Sequence, residues 1–318
     1  METYLGEGLV SASGVKAKYK YHKRIIQPLL DLKFVESCVS HIERHTAICM
    51  DKLDAYGDKG LFDIHEGYPN FCHASIEMYN LGFKRLAKPW LHPDCIYNVL
   101  PDKIAQENIV SHLNSFIKQV IIKSWKRRKM FKDSEGNFKP IVDKMAGYIE
   151  ENPNKINGED FMNHLMTLFT AAFDTLTIVS SFAVLCFGMY PEYQEKAVKE
   201  IKEILGETPR PISIGEINKL VYLEMCIKDV LRLFPIAPYI LRTTLEDYPL
   251  GRDNLQGEIE RKTVARAVLK IFLCNLLQRY EIHAEGKVPD IDLRSDISLR
   301  PKDGYICKLN ARMWNKGP

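Results

Sequence analysis

The chain has 318 residues, of which 46% are apolar and 27% are charged, with 18 glycines and 16 prolines. These values are typical of a globular protein with a substantial core, and they exclude the disordered, collagen-like and low-complexity classes. The formal net charge of +3 also excludes a strongly basic nucleic-acid binder, so we expect no nucleic-acid partner.

Apolar residues recur at helical spacing along most of the chain, which predicts a mainly α fold with a minor β part. The predicted helices cover residues 16–30, 34–56, 68–88, 105–132, 161–190, 191–205, 214–234 and 259–280. Residues 89–101 are predicted to be a loop, 238–242 an extended segment and 246–256 a polar connection. Two short strands are predicted over 280–283 and 305–309.

The helix over 161–190 is apolar on nearly all sides, since its only Asp, Glu, Lys, Arg or His residues are His164 and Asp174. Such a helix is either the buried axis of a helical domain or a membrane span. The uncharged run 175–190 is shorter than the ~20 residues that a bilayer requires. The sequence therefore favours the buried axis.

A basic cluster, Lys126–Lys129, ends the helix over 105–132. Cations in a last helical turn interact favourably with the helix dipole and are usually solvated. A contact with a membrane surface or a partner protein is the alternative interpretation.

The eight cysteines lie at wide spacings without a Cys-x-x-Cys pair, which indicates free thiols in a reducing compartment. The N-terminal residues lack the basic and apolar regions of a signal peptide, so we expect neither a secretion signal nor an N-terminal anchor. His41 with His45, and His92 with Cys95, do not complete a zinc pattern. Neither a GxGxxG motif nor a P-loop is present, so we predict no nucleotide site.

Two pairs of polar residues are candidates for chemistry. Asp174 and Thr175 lie midway along the most apolar helix, where a buried acid beside a hydroxyl could relay protons. Alternatively, Thr175 bonds back to the preceding turn and a neighbouring basic group pairs with Asp174. Asp229 and Arg232 have the i, i+3 spacing of an ion pair, and in isolation they indicate an exposed pair of weak effect.

Residues 220–242 resemble the K-helix segment of the cytochrome P-450 superfamily, and the Asp174-Thr175 helix resembles its I helix. Residues 191–196 are similar to the start of the superfamily's J helix, and segments 5–9, 88–94, 280–282 and 299–304 are similar to animal, especially insect, members of family 4. The resemblance runs from about Leu5 to Arg312. It implies one cytochrome P-450-like domain over 1–318, spanning the family's C to L helices, truncated and with a small residual β part.

The resemblance implies a haem-thiolate monooxygenase that hydroxylates lipophilic, fatty-acid-like or xenobiotic substrates with dioxygen. An NADPH-dependent reductase would supply the electrons, and the endoplasmic reticulum membrane would be the location. Because this chain lacks the family's N-terminal anchor, a cytoplasmic location is the alternative.

The resemblance also assigns site residues. Asp174 and Thr175 would manage proton delivery to bound oxygen, although Ala171, Ala172 and Leu176 depart from the family pattern around them. Tyr19, Lys23 and Arg242 would bind the haem propionates. Asp229 and Arg232 would form the structural K-helix pair, with aspartate in place of the family's glutamate.

The segment that carries the iron ligand in the family, Phe-x-x-Gly-x-Arg-x-Cys-x-Gly, is missing. Residues 250–259 run almost directly into the resemblance to the L helix, and a second gap is predicted near 72–76. None of the eight cysteines has the required context, so no metal ligand is assigned and haem binding by this chain is in doubt. Two hypotheses follow: a monooxygenase of which this chain is an inactive, incomplete version, or a haem-free helical remnant without catalysis.

Overall fold

The structure is a computed structural model, and it describes residues 22–56, 60–65, 70–130, 138–206, 210–238 and 263–312. Residues 22–26 are helical and continue into a 3-10 turn, Gln27–Leu30. The helices are α1 Leu32–Asp54, α2 Asn70–Ala87, α3 Asp94–Tyr97, α4 Pro101–Met130, α5 Ile141–Glu151, α6 Gly158–Met189, α7 Pro191–Leu205, α8 Ile214–Lys219, α9 Val221–Leu233 and α10 Thr263–Arg279. The strands are β1 Phe62–Asp63, β2 Tyr280–His283, β3 Leu293–Ser295, β4 Leu299–Pro301 and β5 Ile306–Ala311. The predicted mainly α fold with a small β part is confirmed.

Helix α6 is the axis of the protein. It begins where the Asn157 side chain accepts a hydrogen bond from the Asp160 amide at 2.7 Å, which satisfies a free N–H of the first turn. Its first half packs with α2, α4 and α5 in one apolar cluster, and its second half packs with α7, α9, α10, β2 and β5 in a larger one. Phe182 is fully buried in the larger cluster and stacks on Phe234 at 4.1 Å between ring centroids.

By length and composition α6 is the one helix, among those described, that could cross a membrane. Its most apolar window has a mean hydropathy of 1.7, and half of that window is buried within the protein. The helix contributes to both apolar clusters, as expected of a buried axis.

The strands form two small antiparallel sheets. β5 lies between β1 and β2, with Phe62 opposite Cys307 and Ile282 opposite Leu309. β3 pairs with β4, with Arg294 opposite Arg300. The two strands expected in the tail are thus present as β2 and β5. The other three strands were not predicted, because runs of two or three residues are too short to show an alternating pattern.

Several predicted boundaries were wrong. The segment expected as a loop over 89–101 contains a 3-10 turn, Pro89–Leu91, and helix α3. The single helix expected over 214–234 is two, α8 and α9, which meet at Leu220. The Glu200 carboxylate accepts hydrogen bonds from the amides of Tyr222 at 2.7 Å and Leu223 at 2.9 Å. Glu200 of α7 thus caps the first turn of α9. Because the two helices are distant in the sequence, local spacing does not predict this helix start.

Helix α5 was missed altogether, although Val142, Met145, Ala146 and Ile149 have helical spacing behind Pro140. Beyond the described residues lie the first part of the predicted basic helix, the segments 239–242 and 246–256, and the start of the predicted helix over 259–280.

Candidate functional site

Asp174 lies on the buried side of α6 and is held by a strand at the other end of the chain. The Arg300 guanidinium of β4 forms an ion pair with its carboxylate, and the Ser298 hydroxyl donates a second hydrogen bond to it. The Asp174 and Arg300 side chains are 6% and 5% exposed. A charged pair this deeply buried requires complete mutual compensation, which these contacts provide.

His65 extends this contact into a network. Its Nε2 atom lies 2.9 Å from the Arg300 guanidinium, and its Nδ1 atom lies 3.1 Å from the Ser181 hydroxyl. Because a guanidinium only donates, Nε2 accepts, and the proton of the neutral ring therefore sits on Nδ1 and points to Ser181. Burial, and secondly the neighbouring positive charge of Arg300, lower the pKa of His65 to about 3.

Tyr305 closes the network on its apolar side. Its ring centroid lies 4.8 Å from that of His65 and 5.0 Å from that of Phe182. The hydroxyl is buried without a hydrogen-bond partner among the described residues, and burial raises the pKa of Tyr305. The sequence did not place His65 or Arg300 beside Asp174, because nothing local marks which of the 44 Lys and Arg residues or nine His residues lies near a given acid.

Thr175 faces a different direction from Asp174. Consecutive helical residues are about 100° apart, so the two side chains leave α6 on different sides. Thr175 is exposed, and its hydroxyl donates to the carbonyl of Ala171 at 2.8 Å. The neighbouring Ala171 and Ala172 are also exposed. The arrangement is the one given above as the structural alternative: a hydroxyl bonded to its own helix and an acid paired with a basic group.

The predicted pair Asp229 and Arg232 forms an ion pair of 2.7 Å on α9. Both side chains are exposed, at 57% and 68%, and the hydrogen bond that Arg232 donates to the Asp229 carboxylate raises the pKa of Arg232. Exposed pairs of this kind contribute little to stability. The geometry agrees with the exposed pair expected from spacing alone.

The predicted propionate-binding residues are only partly described. Lys23 lies in the helical segment 22–26 and is half-buried. Its neighbour His22 is buried beside His164, with Nδ1 3.0 Å from the His164 Nε2 atom. Tyr19 and Arg242 lie outside the described residues.

All eight cysteines are within the described residues, and each lies in a helix or a strand. Burial raises the pKa of Cys72 and Cys226 to about 11 and that of Cys186 and Cys307 to about 12. The thiol of Cys274 is shifted in the same direction by burial. These environments favour the protonated thiol over the thiolate that binds a metal. Within the described ranges, no group of three or more His, Cys, Asp or Glu side chains could hold a metal ion.

Comparison with known proteins identifies the lineage. Residues 62–254 match the family model Cytochrome P450. The chain is 26% identical over 282 residues to cytochrome P450 4c21 of Blattella germanica, which covers 78% of this chain and 56% of the relative. It is 23% identical over 398 aligned residues to cytochrome P450 4V2 of Mus musculus, which covers 98% of this chain and 75% of the relative.

The structural comparison agrees. The crystal structure of a cytochrome P450, CYP102L1, superposes with a TM-score of 0.78 at 14% identity, covering 98% of this chain and 86% of the other. The chain spans little more than half the length of the Blattella relative. The mouse alignment, at 398 positions, is longer than the 318 residues of the chain, so the relative has internal segments without a counterpart here. Because the family model matches more than half of the sequence, and the relatives include family 4 members of insect and mammal, the chain belongs to the cytochrome P450 family and is of the family 4 type.

Proposed function

We propose that the 318-residue chain is a haem-free helical protein without catalysis, and that the family's monooxygenase reaction belongs to a form that also carries the missing cysteine segment. Haem iron is the cofactor of the family. The observation that supports the proposal is the chemistry of the available thiols. No cysteine has the ligand motif, every one lies inside a regular element, and burial raises the pKa of the thiols named above. A thiolate iron ligand requires the opposite environment, so the residues present do not fit the group.

In the form with the segment, we propose hydroxylation of lipophilic substrates, fatty-acid-like or xenobiotic, with dioxygen and with electrons from an NADPH-dependent reductase at the endoplasmic reticulum membrane. Kinship with family 4 supports this proposal. The predicted single domain over 1–318, with gaps near 72–76 and 250–259, belongs to the same proposal. Haem held by a thiolate supplies the iron at which dioxygen is activated.

The protein residues would supply proton handling and anchoring in that form. Asp174 and Thr175 of α6 would together manage proton delivery to dioxygen. Tyr19, Lys23 and Arg242 would bind propionates through a hydroxyl, an ammonium and a guanidinium. Asp229 and Arg232 would keep a structural role on α9.

A spectroscopic experiment tests the haem-free proposal. The purified chain is incubated with haemin, reduced and exposed to carbon monoxide, with a full-length family 4 relative treated identically as the positive control. We expect the red-shifted absorption band of a thiolate–carbon monoxide complex from the relative and not from this chain. If the band does appear, the proposal is wrong, and Cys→Ser variants at each of the eight positions would identify the ligand.

The transcript tests the second half of the proposal. Sequencing the message across residues 250–259 should show a longer version that encodes the Phe-x-x-Gly-x-Arg-x-Cys-x-Gly segment. If every transcript has the short junction, no monooxygenase form exists. The monooxygenase activity would then be a property of related family members and not of this chain.

A further inference from the structure

The C-terminal part of α4 carries apolar and basic side chains on its outer face. Lys118, Ile122, Trp125, Lys126 and Lys129 are spaced at i, i+4, i+7, i+8 and i+11, which places them on one side of the helix. All five are exposed. We call these five residues the outer stripe.

The two apolar members of the outer stripe, and Met130 beside them, are exposed to solvent although they are large apolar side chains. Ile122 is 52% exposed, Trp125 is 56% exposed, and Met130 at the helix end is 75% exposed. The opposite side of α4 is already buried through Leu113 and Ile117. Helix α4 therefore has apolar residues on two opposite sides, and within the described residues only the side of Leu113 and Ile117 is buried.

The charge of this region is of one sign. From Asn108 to Met130 the helix carries six Lys or Arg residues and no Asp or Glu. The two arginines are used internally: Arg127 binds Asp143 with contacts of 2.5 and 2.7 Å, and Arg128 binds Glu150 with contacts of 2.6 and 2.8 Å. These paired contacts hold the helix end against α5 and leave the lysines on the outer side.

The lysines of the outer stripe form no ion pair with any residue that the structure describes. The Lys129 ammonium instead lies 5.9 Å from the centre of the Trp125 ring. An indole with an ammonium group over its ring and further lysines on the same side of the helix, beside a large aliphatic side chain, matches the boundary between lipid headgroups and acyl chains. Tryptophan is enriched at that boundary, and lysines near it are attracted by anionic headgroups.

We propose that the outer stripe binds the surface of an anionic phospholipid bilayer, with Trp125 and Ile122 entering the headgroup region and Lys118, Lys126 and Lys129 contacting lipid phosphates and carboxylates. This peripheral site needs no haem and no membrane-spanning helix, so it does not depend on the proposed function. An acidic protein partner could use the lysines but would not require the exposed indole and isoleucine, and for this reason we favour lipid.

Vesicle binding by the full chain tests the proposal. Co-sedimentation is measured with vesicles of phosphatidylcholine alone and with vesicles of equal parts phosphatidylcholine and phosphatidylserine. We expect binding to the mixed vesicles only, weakened as salt is added, because exposed charges are screened. Equal binding to both vesicle types, or none to either, would overturn the proposal.

Substitutions locate the site. Each lysine near an anionic surface contributes a factor of roughly five in affinity, so Lys126→Gln with Lys129→Gln should weaken binding to mixed vesicles roughly 30-fold. Trp125→Ser should weaken it roughly tenfold through the loss of apolar contact. Far-UV circular dichroism verifies that the variants keep their helices.

Helix α7 provides matched controls. Lys196 and Lys199 are exposed there, and Lys196 lies 5.5 Å from the ring of the exposed Tyr193, but acidic residues surround them. Lys196→Gln with Lys199→Gln, and Tyr193→Ser, should change binding by less than about twofold, since these side chains lie on another helix. An equal loss of binding in the α4 and the α7 variants would show that net charge alone acts, and it would refute the assignment to α4.

A last experiment measures binding to soluble polyglutamate. If polyglutamate binds as tightly as the mixed vesicles do, and with the same dependence on Lys126 and Lys129, the surface binds an acidic polypeptide and the lipid proposal is wrong.

Discussion

The buried pair between Asp174 and Arg300 makes a strong prediction about stability. Replacing Arg300 by methionine keeps most of the side-chain volume and removes the guanidinium. Among the described residues, the Asp174 carboxylate, 6% exposed in the middle of α6, then retains one hydrogen-bond donor, the Ser298 hydroxyl. His65 at the same time loses the donor to its Nε2 atom.

The expected cost follows from these losses. Removing one partner of a buried ion pair destabilises a protein by about 3–5 kcal/mol, because an uncompensated charge stays buried. The unsatisfied Nε2 atom adds about 1 kcal/mol or more. Against a total stability of about 5–15 kcal/mol for a folded protein, Arg300→Met should remove at least about a quarter of the free energy of unfolding.

Urea denaturation followed by circular dichroism measures the loss, with two comparisons. In Lys302→Met, two residues further along, an exposed pair of 2.6 Å with Asp292 is removed, which should cost less than about 1 kcal/mol. In the double variant Arg300→Met with Asp174→Leu, neither member of this buried pair remains, so at least half of the lost stability should return. The reasoning is refuted if Arg300→Met costs no more than Lys302→Met, or if the double variant is less stable than Arg300→Met alone.

Two further predictions concern the same part of the fold. The pKa of His65 is about 3 in the folded chain and about 6.5 when unfolded, so as pH falls below 6.5 the unfolded chain takes up the proton first and stability falls. By pH 5 the loss is about 2 kcal/mol, and it should disappear in His65→Gln, which preserves an acceptor and a donor; a parallel pH dependence in both proteins would contradict this. Gly188 lies where an added Cβ would be 2.8 Å from the backbone nitrogen of Ala284, so Gly188→Ala should cost about 1–3 kcal/mol by calorimetry. Gly158→Ala, with no atom within 4 Å of the added Cβ, should leave stability nearly unchanged, and equal effects would refute the packing argument.

Local sequence patterns were sufficient for the long helices. Six helices each combine a continuous apolar stripe with a start or stop residue: α1, α2, α4, α6, α7 and α10. This pattern can be recognised without knowing which element the helix packs against. The start of α7 at Pro191 and its end at Gly206, which has a φ of +82°, are examples of such punctuation. The family was also readable from the sequence, because its motifs are linear segments.

Features that depend on distant contacts were not readable. The break between α8 and α9 is stabilised by Glu200, and β1 exists because Phe62 and Asp63 pair with a strand more than two hundred residues later. Arg300 was visible within a family motif, but its partner Asp174 lies 126 residues away. Long-range pairing leaves no periodic signal in either segment, so the sequence indicated that Asp174 needed a cation without indicating which one.

This pairing also bears on what the chain can do without iron. Asp174 is compensated by Arg300 and Ser298, while Thr175 is satisfied by the carbonyl of Ala171, so neither polar group of the central helix depends on a cofactor for its hydrogen bonds. The two groups also point in different directions, and the side of α6 that carries Thr175 is exposed. In a haem-free fold with α6 as its axis, the negative charge of Asp174 is therefore compensated by Arg300 of the same chain. The free energy of unfolding lost in Arg300→Met therefore measures how strongly Arg300 of β4 stabilises the buried Asp174 carboxylate.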